Sequence, residues 1–372
     1  MGPINSLLRS LILMAVSFGR PVYSDTLHFE QALQQALDNN KNLAASMHSI
    51  ESARSEALNA FSDDRLLVEK YLPKAHHIEF QIFGDKHGHI THLFERECSV
   101  QRRHQKVIEE SPSPLLTPEL RKKMGSAAEA VARSVNYFSA GTVEFIVNPD
   151  TLDFYFLEMN TRLQVEHPVT EMVLGIDLAQ WQIRVAAGEV FPYSHETLHQ
   201  RGHAIEARLY AEDPENNFLP STGVIYQFAD PSGPGIRLDS GIAVGSEVSH
   251  FYDPMLAKII VRAEDRATAI QRLQSALRHT VVHGVVTNIG LLQNVLAHDD
   301  FQAGIVTTRW VEEMLGELQA SPNLAFEAIV AASLADFILP AASSAGCPPE
   351  SSSPDPFSPW KSANGFRLRK SA

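Results

Sequence analysis

Cysteine is almost missing from this chain: only Cys98 and Cys347 occur in 372 residues. No disulfide framework is implied, and a reducing compartment fits. Positive charge is also in deficit, with 31 Lys and Arg against 44 Asp and Glu and a net charge of −13. General nucleic-acid binding needs a basic footprint and is excluded on that ground. The deficit does not exclude a nucleotide, because local Lys and Arg can still line a cleft. Long apolar runs are lacking as well. Residues 11–18, after Arg9, form an apolar run too short to span a bilayer, so no membrane span is expected. The run reads either as the core of a secretory signal or as part of a presequence, since residues 1–24 contain no acid but carry Arg9, Arg20 and several Ser. No internal repeat is apparent. The length allows two or more domains with substantial cores.

What is present centres on residues 158–168. Positions 158, 160, 162, 164 and 166 carry Glu, Asn, Arg, Gln and Glu. In an extended backbone alternate side chains share one face. One edge would then bear two carboxylates, two amides and a guanidinium. Upstream, residues 141–147 and 153–158 read as strands around the turn Asn148-Pro149-Asp150. A hairpin centred near Thr151 sets Glu144 opposite Glu158. Like charges opposed across a ladder are destabilising, and a cation between them relieves the repulsion. Two carboxylates plus the amide oxygen of Asn160 suit Mg²⁺, which fills its other positions with water and phosphate. On pattern alone, a hairpin whose polar face meets water remains an open alternative.

The run Glu158-Met159-Asn160-Thr161-Arg162-Leu163-Gln164-Val165-Glu166-His167-Pro168, continued to Glu171, resembles the signature of biotin carboxylases, an ATP-grasp family. Cys98 to Lys106 (Cys-Ser-Val-Gln-Arg-Arg-His-Gln-Lys) resembles a second signature, and Glu69-Lys70-Tyr71-Leu72 a third. The resemblance runs from about residue 51 to about residue 315. Within biotin-dependent acyl-CoA carboxylases the chain is most similar to the methylcrotonoyl-CoA type, on Val135-Asn136-Tyr137, Tyr210-Ala211-Glu212-Asp213-Pro214, Asn216-Asn217-Phe218 and Asp355-Pro356-Phe357-Ser358-Pro359. Propionyl- and acetyl-CoA carboxylase subunits share most of these.

The resemblance implies an α+β fold, a truncated ATP-grasp domain followed by the biotin carboxylase C-terminal domain. It implies carboxylation of biotin from ATP and bicarbonate through carboxyphosphate, as in leucine catabolism, with Mg²⁺ or Mn²⁺ as the metal. Glu144 and Glu158 would hold the metal, with Asn160 on a second ion. Glu166 would deprotonate bicarbonate, and Arg162 would stabilise the ureido oxyanion, a task its planar, permanently charged fork suits. Gln164 and the backbone of Val165 would seat bicarbonate, Lys106 would meet bicarbonate or the transferred phosphoryl group, and Arg237 would contact biotin or bicarbonate from across the cleft. Glu69, Lys70, Tyr71 and Leu72 would border adenine, and His77, Gln101 and His104 match nucleotide-site positions. The implied partners are a biotinyl domain, supplying biotin in trans, and a carboxyltransferase β subunit; the implied location is the mitochondrial matrix.

Each motif has a plainer reading. Glu69 and Lys70 alone could be a strand-end charge pair, His77 could face solvent beside Ile78, and residues 102–106 could be a solvated basic run. His87, His89 and His92 invite a zinc reading, but with no Cys nearby and no fourth ligand an exposed polar hairpin is the better account.

Four segments are expected: an unmatched stretch 1–45, a partial ATP-grasp domain 46–201, a C-terminal domain 202–316 and a linker or disordered tail 317–372, Ser- and Pro-rich over 343–359. A helix is expected at 51–61, strands at 66–71, 77–83 and 89–94, and a helix from Pro118 capped by Thr117 with Leu120, Met124, Ala127, Val131 and Val135 on its face. Further helices are expected at 177–188 and 266–278, and strands at 204–210, 223–228 and 259–262. The chain also departs from the family pattern. Only Gly2 and Gly19 precede Glu69, so the family's glycine-rich phosphate loop has no counterpart in the helical-looking residues 30–37. No Met-Lys-Met biotin-attachment motif occurs. These departures lead to an expectation of weak ATP binding and slow turnover, and they keep a second reading alive, a non-catalytic module of a carboxylase assembly. Another ATP-grasp ligase, of carbamoyl-phosphate or purine type, fits the long signature less well.

Overall fold

Residues 43–66 and 70–319 are described by the structure, a computed structural model. The expected features at 1–42, at Glu69 and beyond 319 lie outside the described residues. A first helix, α1 (Leu43–Phe61), covers the expected one and ends at Ser62. Of the strand expected at 66–71, the described members Leu66, Lys70 and Tyr71 are irregular.

Alternation then sets the plan. In β1 (His76–Gly84), Ile78, Phe80 and Ile82 point to one side and His77, Glu79 and Gln81 to the other. Asp85 closes the hairpin by accepting from the backbone N–H groups of His87 and His89 at 2.8 and 3.1 Å. Strand β2 (Ile90–Arg102) follows and runs eight residues past its expected end at 94. It turns into β3 (Gln105–Ser111) through Arg103 and His104, both at positive φ, the two-residue geometry that matches strand twist. The supposed basic run 102–106 is this hairpin.

Helix α2 (Pro118–Ser134) starts as expected, with Thr117 Oγ1 accepting from the N–H of Leu120 and Pro118 in the first turn. Its buried line is Leu120, Met124, Gly125, Ala128 and Ala132, not the expected line ending at Val135, which sits past the helix and is exposed. Small residues win here because α2 lies close on the sheet. A Cβ on Gly125 would fall 2.5 Å from His92 Nε2.

The hairpin β4 (Ser139–Val147) and β5 (Phe154–Asn160) is followed by two short helices, α3 (His167–Leu174) and α4 (Leu178–Ala186). Strand β6 (His203–Tyr210), β7 (Ile236–Ser240), β8 (Met255–Ala263), α5 (Arg266–His279) and α6 (Ile289–Ala297) complete the main elements. The strand expected at 223–228 is instead two short pieces, Gly223–Val224 and Gln227–Ala229.

All eight strands join one antiparallel sheet, ordered β7-β8-β6-β3-β2-β1-β4-β5. The β3–β6 pairing carries it without a break across the expected boundary at 201. One face is apolar. Ile78, Phe80, Val143 and Phe145 pack under α2, while Ile205, Ala207, Ile259 and Val261 pack under α5 and α6. Ile270, Leu273 and Leu277 of α5 are buried there, each worth about 2 kcal/mol of apolar transfer. The opposite face carries the polar members of the same strands. Helix α4 covers only its end, at Phe83, Leu93 and Trp181. No helix among the described residues is long and apolar enough to cross a membrane.

Candidate active site

Four adjacent strands place Glu158, Glu144, Glu79 and Arg96 side by side. Three neighbouring carboxylates repel, and two cations answer them. Arg96, fully buried, lies 2.5 Å from Glu79 and spends its remaining donors on Gln81, Thr170, Thr142 and Gln164. Lys106 reaches in from β3, with Nζ 2.6 Å from Glu79, 3.0 Å from Glu144 and 2.5 Å from Glu166. Burial works against its charge, but Glu79, Glu166 and Glu144 outweigh burial and keep Lys106 protonated well above its ordinary range.

Glu144 is the most heavily bonded acid of the row. His77 Nε2 lies 2.8 Å from its Oε2, and Gln101 Nε2 donates to His77 Nδ1 at 2.6 Å. That network assigns the imidazole proton to Nε2, which faces the carboxylate at close range without the angle of a hydrogen bond. Asn160 Nδ2 bridges Glu144 and Glu158 at 3.0 and 3.1 Å, and Gln164 Nε2 adds a bond of 2.8 Å. Burial would raise the Glu144 carboxyl, but the close approach and charge of His77, with Lys106 and Gln164, hold it well below the usual carboxylate range. His77 is therefore buried machinery and not a solvent-facing residue.

Glu166 stands at the N-cap of α3, yet its side chain does not cap the helix. It lies instead between Lys106 and Arg208, whose Nη2 is 3.0 Å from Oε2. Arg208 is held from behind by Glu109 at 2.5 Å. Beside it in the ladder stand Lys258 and Asp239. Lys258 Nζ donates to the carbonyl of Val165 at 2.8 Å and pins the loop that delivers Glu166. The result is a carboxylate between two cations at one end and a pair of carboxylates, buried Glu144 and exposed Glu158, at the other. The first arrangement can meet an anion and take a proton; the second offers hard oxygen ligands. Two carboxylates and an amide of Asn160, whose oxygen and nitrogen can exchange places by a flip, fit a magnesium-type ion.

The sequence carries the same assignment. Residues 37–193 match the family described as carbamoyl-phosphate synthase L chain, ATP binding domain, and residues 206–313 match biotin carboxylase C-terminal domain. The α subunit of mitochondrial methylcrotonoyl-CoA carboxylase from Dictyostelium discoideum is 45% identical over 320 residues, covering 86% of this chain and 45% of that protein. Biotin carboxylase 2 of Bacillus subtilis is 46% identical over 305 residues, covering 82% of this chain and 65% of that one. Among solved structures, the Hydrogenobacter thermophilus 2-oxoglutarate carboxylase biotin carboxylase domain, in complex with MgADP, ADP and bicarbonate, superposes with a TM-score of 0.73 at 40% identity. It covers 85% of this chain and 73% of that one. The chain belongs to the biotin carboxylase family. Its fold is the family's ATP-grasp and C-terminal arrangement, and it spans just under half the length of the methylcrotonoyl-CoA carboxylase relatives, 45% for the Dictyostelium protein.

Set against that membership, the expected site residues divide. Lys106, His77, Gln101, Glu144, Glu158, Asn160, Gln164 and Glu166 form one connected network, while the Val165 carbonyl accepts from Lys258 outside it. Arg162 does not join it. Strand β5 ends at Asn160, so the alternation expected over 158–166 stops there, and residues 161–166 form a loop. Gln164 and Glu166 fold back onto the sheet, whereas Arg162 is exposed and makes no ion pair among the described residues. Its Nη1 lies 3.4 Å from the carbonyl of Leu163. His104 sits exposed at the β2–β3 turn. Arg237 pairs with Glu171 at 2.6 Å and Asp239 at 2.8 Å, one helix away from Glu166. In the segment expected to border adenine, Lys70 Nζ donates to Tyr155 Oη at 2.6 Å, Tyr71 Oη accepts from Arg309 at 3.1 Å, and Leu72 is half-buried.

Sequence reasoning missed Glu79, Arg96, Glu109 and Arg208. Only Glu79 and Arg208 lay in a readable alternation, His77-Glu79-Gln81 against Ile78-Phe80-Ile82 and Glu206-Arg208 against Ile205-Ala207-Leu209, which groups a polar face without saying whether it is buried. Of the three hairpin histidines, His87 is exposed as expected, and His92 departs from expectation. His87 and His89 bond the carbonyls of Gly188 and Phe191, but His92 is buried beneath α2. His92, Glu129 and His195 bring ligand atoms within 4.8 Å, yet the two rings stack at 9°. Parallel rings cannot both aim an in-plane lone pair at one ion.

Proposed function

We propose that this chain carries out the biotin carboxylase half-reaction: ATP and bicarbonate form carboxyphosphate, and the carboxyl group passes to biotin supplied on a separate biotinyl domain. The observation that carries the reading is Glu166, a buried carboxylate held between Lys106 and Arg208 beside the metal-type ligands Glu144 and Glu158. Glu144 and Glu158, with Asn160, would hold Mg²⁺ or Mn²⁺, which when bound neutralises phosphate charge. Lys106 and Arg208 bind and orient the bicarbonate anion, with the Gln164–Val165 backbone beside it. Glu166 accepts the bicarbonate proton at a carboxylate oxygen. Arg162, free at the surface end of the loop, turns in toward the biotin ureido oxygen when the biotinyl domain docks. Arg237 steadies α3 through Glu171, and the Glu69–Leu72 segment borders adenine, with His104 toward the nucleotide side.

We assign the reaction to a methylcrotonoyl-CoA carboxylase partnered by a carboxyltransferase subunit in the mitochondrial matrix; the names of the mitochondrial α-subunit relatives support the enzyme and the organelle. The test is bicarbonate- and biotin-dependent phosphate release from Mg-ATP. Glu166→Gln should cut it about 10²–10⁴-fold, the usual worth of a positioned base. If Mg-ATP binds by calorimetry and phosphate release is no faster with bicarbonate than without it, the non-catalytic module is the correct reading.

A further inference from the structure

Glu109 and Glu206 face each other as partners across the β3–β6 ladder, and both are completely buried, at 0% exposure. Glu109 Oε1 accepts from Arg208 Nε at 2.5 Å. Its Oε2 and both carboxylate oxygens of Glu206 have no hydrogen-bond donor among the described residues. The mechanism above uses neither acid directly. Two ionised carboxylates opposed in a dry ladder are doubly penalised, by repulsion and by lost hydration.

The surrounding charges do not cure this. Arg208, on the same strand as Glu206, is committed to Glu109 and Glu166. Lys258 of β8 is committed to the Val165 carbonyl and Asp239. Lys106 of β3 serves Glu79, Glu144 and Glu166. From α3, which packs over β6, His167 bonds the carbonyl of Gln164 and Glu171 takes Arg237. One proton resolves the conflict. An O–H on Glu206 donating to Glu109 Oε2 partners two of the three orphaned oxygens and leaves a single negative charge, matched by Arg208.

We propose that Glu109 and Glu206 share one proton, and that this pair is a positioning device that fixes one edge of Arg208 so that its Nη2 stays on Glu166. The electrostatics agree with the geometry. Burial, then the adjacent Glu109, pushes Glu206 well above the ordinary carboxyl range, and burial pushes Glu109 up to about 7 against the pull of Arg208. The shared proton does not depend on the proposed reaction; only the consequence for bicarbonate rests on it.

Infrared difference spectroscopy of the whole chain near neutral pH decides the first part. The wild type should show the C=O band of a protonated carboxylic acid, and Glu206→Gln should lose it. Absence of the band in the wild type, or its persistence in both Glu206→Gln and Glu109→Gln, overturns the proposal, whether or not the chain turns over. For the second part, Glu109→Gln should raise KM for bicarbonate about tenfold, the scale of one charge-assisted bond, and Glu109→Asp should restore most of it. An unchanged KM in Glu109→Gln refutes the positioning role. A wild type with no bicarbonate-dependent turnover counts against the proposed function alone, and the infrared result still decides the shared proton.

Discussion

Lys106 Nζ sits 2.5 Å from Glu166 Oε1, and the same ammonium reaches Glu79 and Glu144. One cation therefore serves three acids drawn from β1, β4 and the loop before α3. Each acid also has a second partner: Arg96 for Glu79, His77 for Glu144 and Arg208 for Glu166. Lys106 is consequently the shared member, and the others are private anchors. On the proposed function, an incoming anion meets Lys106 and Arg208 at the point where they already hold a carboxylate.

Replacing Lys106 with Met keeps the stem and deletes the charge. Removing one partner of a buried ion pair costs about 3–5 kcal/mol. Because each carboxylate retains its private anchor, the lower end, about 3 kcal/mol, is expected in urea unfolding. Phosphate release should fall below detection in the same variant. A variant as stable as the wild type would show that the three contacts do not carry the charge balance argued for them.

Much of this arrangement was legible in the residues, for reasons that can be named. The pairing of Glu144 with Glu158 followed from a turn at Asn148-Pro149-Asp150 and strict alternation on either side. Thr117 announced its helix because a short polar side chain before a periodic run satisfies free N–H groups. Arg162 was misplaced because strand periodicity was extended past the last ladder bond, at Asn160. Arg208 and Glu109 lay in segments whose polar residues point inward, and inward is unreadable until the long-range partners are known. The β3–β6 pairing joins residues nearly a hundred positions apart, and no local pattern encodes it.

The two carboxylates of the candidate metal pair should separate under mutation. Glu158 is exposed, so Glu158→Gln should leave stability within about 0.5 kcal/mol. Glu144 is buried beneath His77, Lys106, Asn160 and Gln164, so Glu144→Gln should destabilise as well. Both variants should weaken Mn²⁺ binding followed by electron paramagnetic resonance. Unaltered Mn²⁺ affinity in Glu158→Gln would remove Glu158 from the ligand set.

Gly125 is a packing requirement and not a flexible point. An added Cβ would lie 2.5 Å from His92 Nε2 and 2.8 Å from two of its ring carbons. Helix propensity favours Ala there by about 1 kcal/mol, whereas overpacking a filled core costs about 1–3 kcal/mol. The ring is wedged between α2 and His195 and has nowhere to retreat. Gly125→Ala should therefore lower Tm, and a raised Tm would show that the contact relaxes freely.

The same ring should write a pH signature on stability. Burial, then the stacked His195, lowers the His92 pKa from 6.5 to about 4, so the folded ring is neutral where the unfolded one begins to protonate. The N–H of Phe94 donates to its Nδ1 at 3.2 Å, a bond only an unprotonated Nδ1 can accept. The unfolded state therefore binds more protons between these two values, and stability falls as pH drops. This contribution is complete above about pH 6.5 and lost progressively down to about pH 4. Glu129, 3.0 Å from His195, favours the His92 proton and Arg121 opposes it, both less strongly than burial. His92→Phe keeps the ring and removes the titration. Its Tm should start lower because the Phe94 N–H loses its acceptor, yet fall less steeply than the wild type through the window. Parallel curves for the two proteins would mean that His92 takes up its proton in the folded state as readily as in the unfolded one, and that the wedge beneath α2 does not exclude charge.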